Sequence, residues 1–362
     1  MSPCLLEYSA EQLAALVSEL GHKAYRATQL REWIWKRRAA DFAAMSNLPP
    51  ALREQLAERF PLPAGLRPLE VVELSRSAGA DHAAATTRKF LSRMAQDGSL
   101  VESVIIPAAV GEGGAHSSRL TLCVSSQVGC AFGCKFCASG LYGLTRNLSS
   151  GEILGQILAA EELCGERVDN LVFMGMGEPL ANLDNVLPAL ERILDPQCGL
   201  GIGARHITIS TSGNVPGLRR LAAWGKPLRL AVSLHGASDA VREQIMPVNR
   251  KWPLAELLPA LESWARSNKH MVTLEYILIH EVNDMLPEAD KLADIAQRLG
   301  AKVNLIPYNS VEGLPWVRPS EEHCRRFCRA LIARRVPVTM RYEKGHDINA
   351  ACGQLRLKRL QK

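Results

Sequence analysis

From about residue 119 onward the chain alternates short β-rich runs with amphipathic helical stretches, and this alternation limits the fold more than any other feature. Strand-like runs occupy Leu120–Ser125, Asn170–Met174, Ile207–Ser210, Leu228–Leu234, Thr273–Ile279 and Lys302–Pro307. Helical periodicity fills the gaps at Ser150–Cys164, Asn185–Leu194, Val215–Ala223, Leu254–Ser267 and Leu286–Leu299, with another stretch at Ser320–Arg335. Parallel strands need a crossover between them, and helices of this length supply it. The pattern therefore predicts an α/β fold built on a barrel of six β/α units, or part of one. In such folds functional groups gather at the carboxyl ends of the strands.

The residues before 119 follow other rules. Over residues 1–62 the signals are helical: Ser9 caps a run with Leu13, Leu16, Val17 and Leu20 on one face, and Gly21 ends it. Ala27 to Arg38 groups Leu30, Trp33 and Ile34, Asn47-Leu-Pro-Pro precedes a helix near Ala51–Arg59, and Pro61 and Pro63 mark a boundary. Residues 67–107 read as a small antiparallel extension, with Asp97-Gly98 as a hairpin turn. A Gly/Ala-rich stretch, Ala108–Ser118, reads as a loop. The expected division is 1–62 helical, 63–115 β extension and linker, 116–347 barrel core, and 348–362 a tail.

Composition sets outer limits. With 47% hydrophobic and 22% charged residues in 362, the chain can bury a sizeable core, which excludes a disordered or collagen-like protein. No run approaches the roughly 18 apolar residues that span a bilayer. The start, MSPCLLEYSAEQL, lacks a basic region followed by an apolar one, so the expectation is a cytoplasmic protein with no membrane partner. The net charge of +6 suits a nucleic-acid partner without establishing one. Ten cysteines are too few for a disulfide scaffold of this length, so their positions carry the information.

Three of them form Cys130-Ala-Phe-Gly-Cys134-Lys-Phe-Cys137, directly after the first barrel strand. Thiolates are soft ligands for iron–sulfur clusters or zinc. Three on one short loop can hold three corners of a cubane and leave the fourth iron open to a substrate. Zinc usually takes paired cysteines from two places and a fourth ligand, and Cys123 could be that fourth thiolate. The spacing C-x3-C-x2-C resembles the signature of the radical S-adenosylmethionine (SAM) superfamily. That resemblance implies a 4Fe–4S cluster whose free iron binds SAM, and a partial (β/α)6 barrel.

Polar groups at the other strand ends fit a SAM cradle. The second strand ends in Met174-Gly-Met-Gly177-Glu178-Pro, where glycines allow close backbone approach and Glu178 offers a carboxylate to an ammonium group. Without the cysteine loop this would read as a tight β/α turn; with it, the segment resembles the superfamily's GGEP element. Ser210, Ser233-Leu234-His235 and Asn309 end later strands, although singly such residues are more often strand-to-helix caps or rim residues. Gly199-Leu-Gly-Ile-Gly203 imitates a dinucleotide loop, but a strand rather than a helix is expected after it.

The segment Arg341-Tyr-Glu-Lys-Gly-His-Asp347-Ile-Asn-Ala-Ala-Cys352-Gly-Gln-Leu closely resembles the C-terminal motif of the RlmN/Cfr methyltransferases. So do Thr121–Cys130, Met174–Leu180, Ile209–Gly213 and Val303–Asn309, and near the amino end Tyr25–Trp35 and Asn47-Leu-Pro. The resemblance covers nearly the whole chain and is closest to the RlmN type. It implies methylation at C2 of an adenosine in 23S rRNA and of the adenosine 3′ to the anticodon in some tRNAs, with the helical region binding RNA. It also implies two SAM per turnover and an electron donor such as flavodoxin or ferredoxin. Carried onto this chain, Cys352 becomes the methyl-carrying cysteine, Cys123 its transient disulfide partner, and Glu102 the base that takes the C2 proton.

Other readings stay open at this point. Cfr-type enzymes share these cysteines but methylate C8, and a radical SAM enzyme that transfers no methyl group would need neither Cys123 nor Cys352. A zinc-stapled RNA-binding adaptor is the non-enzymatic alternative. Cys324 and Cys328, four apart beside His323, are expected to pack in a helix core, and Cys4, Cys164 and Cys198 have no constellation around them. Lys36-Arg37-Arg38, Arg334-Arg335 and the cluster Arg356 to Lys362 are candidate RNA contacts or solvated faces.

Overall fold

The computed structural model describes residues 4–61, 65–77, 86–108, 119–141, 143–268, 270–311, 313–341 and 348. Helices α1 (Ala10–Glu19), α2 (Tyr25–Trp35) and α3 (Pro50–Arg59) open the chain. Ser9 starts α1 with a reciprocal box: the Gln12 N–H donates to the Ser9 hydroxyl at 3.1 Å, and the Ser9 N–H to the Gln12 amide oxygen at 2.7 Å. Gly21, at φ +80°, turns the chain out of the helix.

Three antiparallel strands follow, β1 (Leu69–Arg76), β2 (Arg88–Met94) and β3 (Leu100–Pro107). Asp97 accepts from the Ser99 N–H at 3.0 Å and Gly98 adopts φ +73°, which closes the β2–β3 turn as expected. Apart from Ala108, the Gly/Ala-rich stretch lies outside the described residues.

The barrel begins with β4 (Leu120–Cys123), then a hairpin of β5 (Gln127–Gly129) and β6 (Leu144–Asn147) that encloses the short helix α4 (Ala138–Leu141). Helix α5 (Ser150–Cys164) leads to β7 (Asn170–Phe173), α6 (Leu183–Leu194) to β8 (Ile207–Thr211), and α7 (Val215–Ala223) to β9 (Arg229–Ser233). Two helices, α8 (Asp239–Ile245) and α9 (Leu254–Ser267), precede β10 (Thr273–Leu278). Then come α10 (Leu286–Leu299), β11 (Lys302–Pro307), α11 (Glu321–Ala333) and β12 (Val338–Met340).

The six predicted barrel strands all form and run parallel, from β4 through β7, β8, β9 and β10 to β11. A seventh, β12, pairs parallel to β11 and lies outside the expected pattern, because three residues are too few to show a period. The antiparallel extension is no separate sheet. β3 pairs with β4, so one ten-stranded sheet runs β1-β2-β3-β4-β7-β8-β9-β10-β11-β12. After Gly203 a single 3-10 turn, Ala204–His206, leads into β8, so the glycine-rich stretch is a strand approach and not a dinucleotide loop.

The helical region shares one hydrophobic core with the barrel. Glu7 receives the Gly151 N–H at 2.8 Å, a carboxylate set on the electropositive start of α5. Arg38 pairs with Glu161 at 2.6 Å near the other end of that helix. Burial of this shared interface, more than helix propensity, holds the amino-terminal helices in place.

Candidate active site

Cys130, Cys134 and Cys137 ride on the loop between β5 and β6, and the loop is tied at several points. Gln127 pairs with Asn147 and Val128 with Arg146 across the hairpin, and the Cys130 N–H donates to the Gly143 carbonyl at 2.9 Å. The Lys135 N–H reaches the Ile245 carbonyl at the end of α8 at 2.9 Å, and the Trp316 indole N–H donates to the Lys135 carbonyl at 2.8 Å. Cys134 itself packs among Ile245, Met246 and Tyr308. The three cysteines line one cavity of about 140 Å³ together with Gly177, Glu178, Ser210, Ser233 and His235. Eight residues singled out from sequence therefore line one cavity.

Burial pushes the Cys130 thiol up to about 12, with Glu178 and Cys137 adding to it. Cys134 is raised too, by burial first and then by Cys137 and Cys130. Sulfurs crowded in this way become thiolates only against a compensating cation, which is what a bound metal supplies.

The turn after β7 is built for close approach. Gly177 adopts φ +97°, and a Cβ there would lie 2.5 Å from the Gln127 Cβ. At Gly175 a Cβ would meet the Ser125 hydroxyl oxygen at 2.7 Å. The Glu178 carboxylate accepts from the Ser212 N–H at 2.8 Å and the Leu180 N–H at 3.2 Å, while its own N–H donates to the Gln127 side chain at 2.8 Å. Burial raises its proton affinity, and hydrogen bonds from Ser212, Thr211 and Leu180 oppose the rise. The carboxylate is thus fixed in direction before any ligand arrives.

His235 sits at φ +54°, in the left-handed region. Its Nδ1 accepts from the Ile277 N–H at 3.1 Å, so Nε2 carries the proton. Burial and then Arg242 lower its pKa to about 3, which keeps the ring neutral. Leu234 is fully buried, and its N–H donates to the Glu275 carbonyl at 3.0 Å; it shapes the strand end without lining the cavity. Asn309, 4% exposed, keeps a buried Oδ1 without a hydrogen-bond partner but does not line the cavity.

Glu102 and Cys123 stand on the neighbouring strands β3 and β4, where Cys123 lies opposite Val104. Neither lines the cavity. Glu102 pairs with Lys89 at 3.0 Å, and its carbonyl accepts the Ser125 hydroxyl at 2.8 Å. Cys352 lies outside the described residues, as does the basic cluster from Arg356 to Lys362.

Sequence reasoning missed Gln127, Arg242 and Glu275. Arg242 is fully buried and donates to the carbonyls of Leu234 and Ser212, both at 2.9 Å, and to Asn249 at 2.8 Å. It stitches the ends of β8 and β9 from behind, but nothing local marks it in a short helix. Glu275 could have been found: it is the lone charge inside the apolar run Val272–Ile279. Of the basic clusters, Arg334 is paired with Asp290 and Asp294, and Arg37 with Glu32, so these charges are already partly met. Cys324 is buried in the core as expected, with Cys328 packed against it, while His323 bonds the Asp284 carbonyl at 2.8 Å.

Comparison with known proteins gives the site its context. Residues 4–62 match the family described as "Ribosomal RNA large subunit methyltransferase N-terminal domain", and residues 124–293 match the radical SAM superfamily. The chain is 62% identical, over 99% of its length and 97% of the relative's, to a protein of Akkermansia muciniphila named "Probable dual-specificity RNA methyltransferase RlmN". The chain belongs to the RlmN family. An RlmN dual-specificity RNA methyltransferase of Geotalea uraniireducens is 40% identical, with 96% and 95% of the two chains covered. The crystal structure of a radical SAM methyltransferase from Sphaerobacter thermophilus superposes with a TM-score of 0.89 at 40% identity, covering 98% of this chain and 99% of that one. This RlmN-family chain is therefore a SAM-dependent radical SAM RNA methyltransferase. Among the described residues, no helix is long and apolar enough to cross a membrane.

Radical SAM membership implies SAM and a 4Fe–4S cluster, and the residues fit both. The donor set is three soft thiols on one tied loop. The Glu178 carboxylate lines the same cavity, and so does Glu275, whose buried Oε2 has no hydrogen-bond partner.

Proposed function

We propose that this chain methylates C2 of a specific adenosine in 23S rRNA, and of the adenosine 3′ to the anticodon in some tRNAs, with Cys352 as methyl carrier. The observation that carries the reading is the convergence of the three loop cysteines, the Glu178 carboxylate and the strand-end polar groups on one cavity. The names of the relatives supply the dual RNA specificity.

Adenine C2 is electron-poor and cannot simply attack a sulfonium methyl group, whereas a carbon radical can add to it. SAM bound at an open iron of a reduced cluster supplies such radical chemistry. Cys130, Cys134 and Cys137 would hold the cluster. Glu178, directed by the Ser212 and Leu180 N–H groups, would receive the SAM ammonium, and neutral His235 lines the same cavity.

Cys352 would accept a methyl group from one SAM, with a second SAM consumed at the cluster in each turnover. Glu102, oriented by Lys89, would take the C2 proton. The carbon carried on Cys352 would bond to C2. Cys123, on the strand beside Glu102, would then attack the Cys352 sulfur and break its bond to that carbon. The carbon would leave with the electron pair, take up a proton and depart as the product's methyl group while the disulfide forms. Electrons would come from a carrier such as flavodoxin or ferredoxin, and the cytoplasm is the compartment that holds the RNA substrates.

Incubation of the reconstituted enzyme with SAM, reductant and an unmodified rRNA fragment, followed by nucleoside mass spectrometry, tests the reading. 2-Methyladenosine is expected; 8-methyladenosine would move the chain to Cfr-type specificity.

A further inference from the structure

The outer face of the cysteine loop takes no part in the site above: none of Phe132, Lys135, Trp252 and Trp316 lines the cavity that the three cysteines share. Phe132 stacks on Trp252 with ring centroids 6.1 Å apart and planes 28° from parallel, and the Lys251 ammonium stands over the same indole at 4.7 Å. On the other side, the Trp316 indole N–H donates to the Lys135 carbonyl at 2.8 Å. Three segments thus meet here, 130–137, 246–252 and 314–318. Their charged side chains are Lys135, Arg250, Lys251 and Arg318, and no acidic residue occurs in any of the three. Lys135, Arg250 and Lys251 are exposed, and Val317 adds apolar surface at 57% exposure. The Asp239 carboxylate, at the start of α8, is taken up by the Asn249 amide at 2.8 Å and the Leu254 N–H at 2.9 Å. An acid stands at the edge of the face: Glu281, next to His280, whose N–H donates to the Val317 carbonyl at 2.9 Å.

We propose that this face docks the protein that reduces the cluster, a small acidic carrier with a one-electron cofactor at its own surface. The proposal rests on the three cysteines holding a 4Fe–4S cluster. SAM and the target base occupy the cavity, so an electron enters from the other side of the loop. Cys134 is buried while Lys135, the next residue, is exposed, so a partner seated here comes within one residue of a cluster ligand. Phe132, Phe136, Trp252 and Trp316 pack around Cys134 and its neighbours, which keeps water from the path. Cations with no acid interspersed attract a partner of opposite sign and speed the encounter by roughly 10–1,000-fold at low salt. The face is small, in keeping with redox encounters that bury less than about 1,200 Å². In the step itself the carrier loses one electron and the cluster gains it, with no proton or group transferred. RNA phosphates answer to the same charges, and the test separates the two partners.

The test uses anaerobically reconstituted holoenzyme and photoreduced flavodoxin. Zero-length carbodiimide coupling of the two proteins, mapped by mass spectrometry, should join Lys135 or Lys251 to carboxylates of the carrier. Reduction by the carrier, followed by stopped flow at low salt, should be at least about tenfold slower in the double variant Arg250→Glu, Lys251→Glu than in wild type, and the gap should close as salt rises. Reduction by photoreduced 5-deazariboflavin, a small uncharged donor, should be equal in the two proteins, and so should affinity for the rRNA fragment. Crosslinks confined to other lysines overturn the proposal, as does a carrier rate that the double substitution leaves unchanged. Weakened RNA binding with the carrier rate intact gives the face to RNA and overturns it too. If the double variant loses its cluster, the crosslinks on wild type decide alone. A wild-type protein that takes up no 4Fe–4S cluster refutes the cluster reading instead.

Discussion

His235 shows how much one residue at a strand end is asked to do. Its backbone takes the left-handed conformation that turns the chain from β9 toward α8, and its ring sits edge-on to Phe136 of the cysteine loop at 4.8 Å. Charging it would bring a cation into a buried site beside Arg242, which is why its pKa falls to about 3. The sign follows: the unfolded chain binds the proton near pH 6.5 and the folded one only near 3. Stability is therefore full above pH 6.5 and falls as the pH drops through that window, by about 1.4 kcal/mol per pH unit. His235→Asn, which tolerates the same backbone region, should flatten this part of the acid-unfolding profile measured by denaturant titration at successive pH values. The residue is visible in the sequence as a polar group after an apolar strand. Its neutrality is not, because it depends on burial and on Arg242, which only the folded chain brings about.

At the scale of elements, the cysteine loop depends on the hairpin that carries it. Arg146 on β6 binds the Asp97 carboxylate with Nε and Nη2 at 2.7 and 2.8 Å, and the Glu152 carboxylate with Nη1 and Nη2 at 2.8 and 2.9 Å. One guanidinium thus ties the hairpin to the β2–β3 turn and to the first turn of α5. The Asp97 carboxyl is held well below its usual range by Arg146. Arg146→Ala should cost about 1.5–3 kcal/mol, the range for hydrogen bonds to charged groups. It should lower both the melting temperature and the iron retained after reconstitution. Arg93→Ala, which removes an exposed pair with Glu70, should change neither appreciably. The long barrel helices are legible in the sequence to within about two residues at their ends, because most have a clear apolar face and most a capping or proline start. The β5–β6 hairpin and α8 are not: their register comes from Arg146, Gln127 and the Lys135–Ile245 contact, all between segments distant in the chain.

Across the whole molecule, the alternation of strands and helices is enough to place the site, since it puts the cysteine loop, the glycine turn and the serines at the same end of one sheet. What alternation cannot show is continuity. β3 joins β4, and the amino-terminal helices share the barrel's core through Glu7 and Arg38, so pieces that read as separate segments are one body of packing. Cooperative packing of that kind gives the three cysteines a fixed frame. In that frame they would hold a 4Fe–4S cluster with one iron left for SAM. Electron paramagnetic resonance of the anaerobically reconstituted, reduced protein, recorded with and without SAM, tests it most directly. A reduced-cluster signal that changes when SAM is added, and that Cys134→Ala lacks, is expected. A colourless zinc protein, or a cluster signal indifferent to SAM, would contradict it.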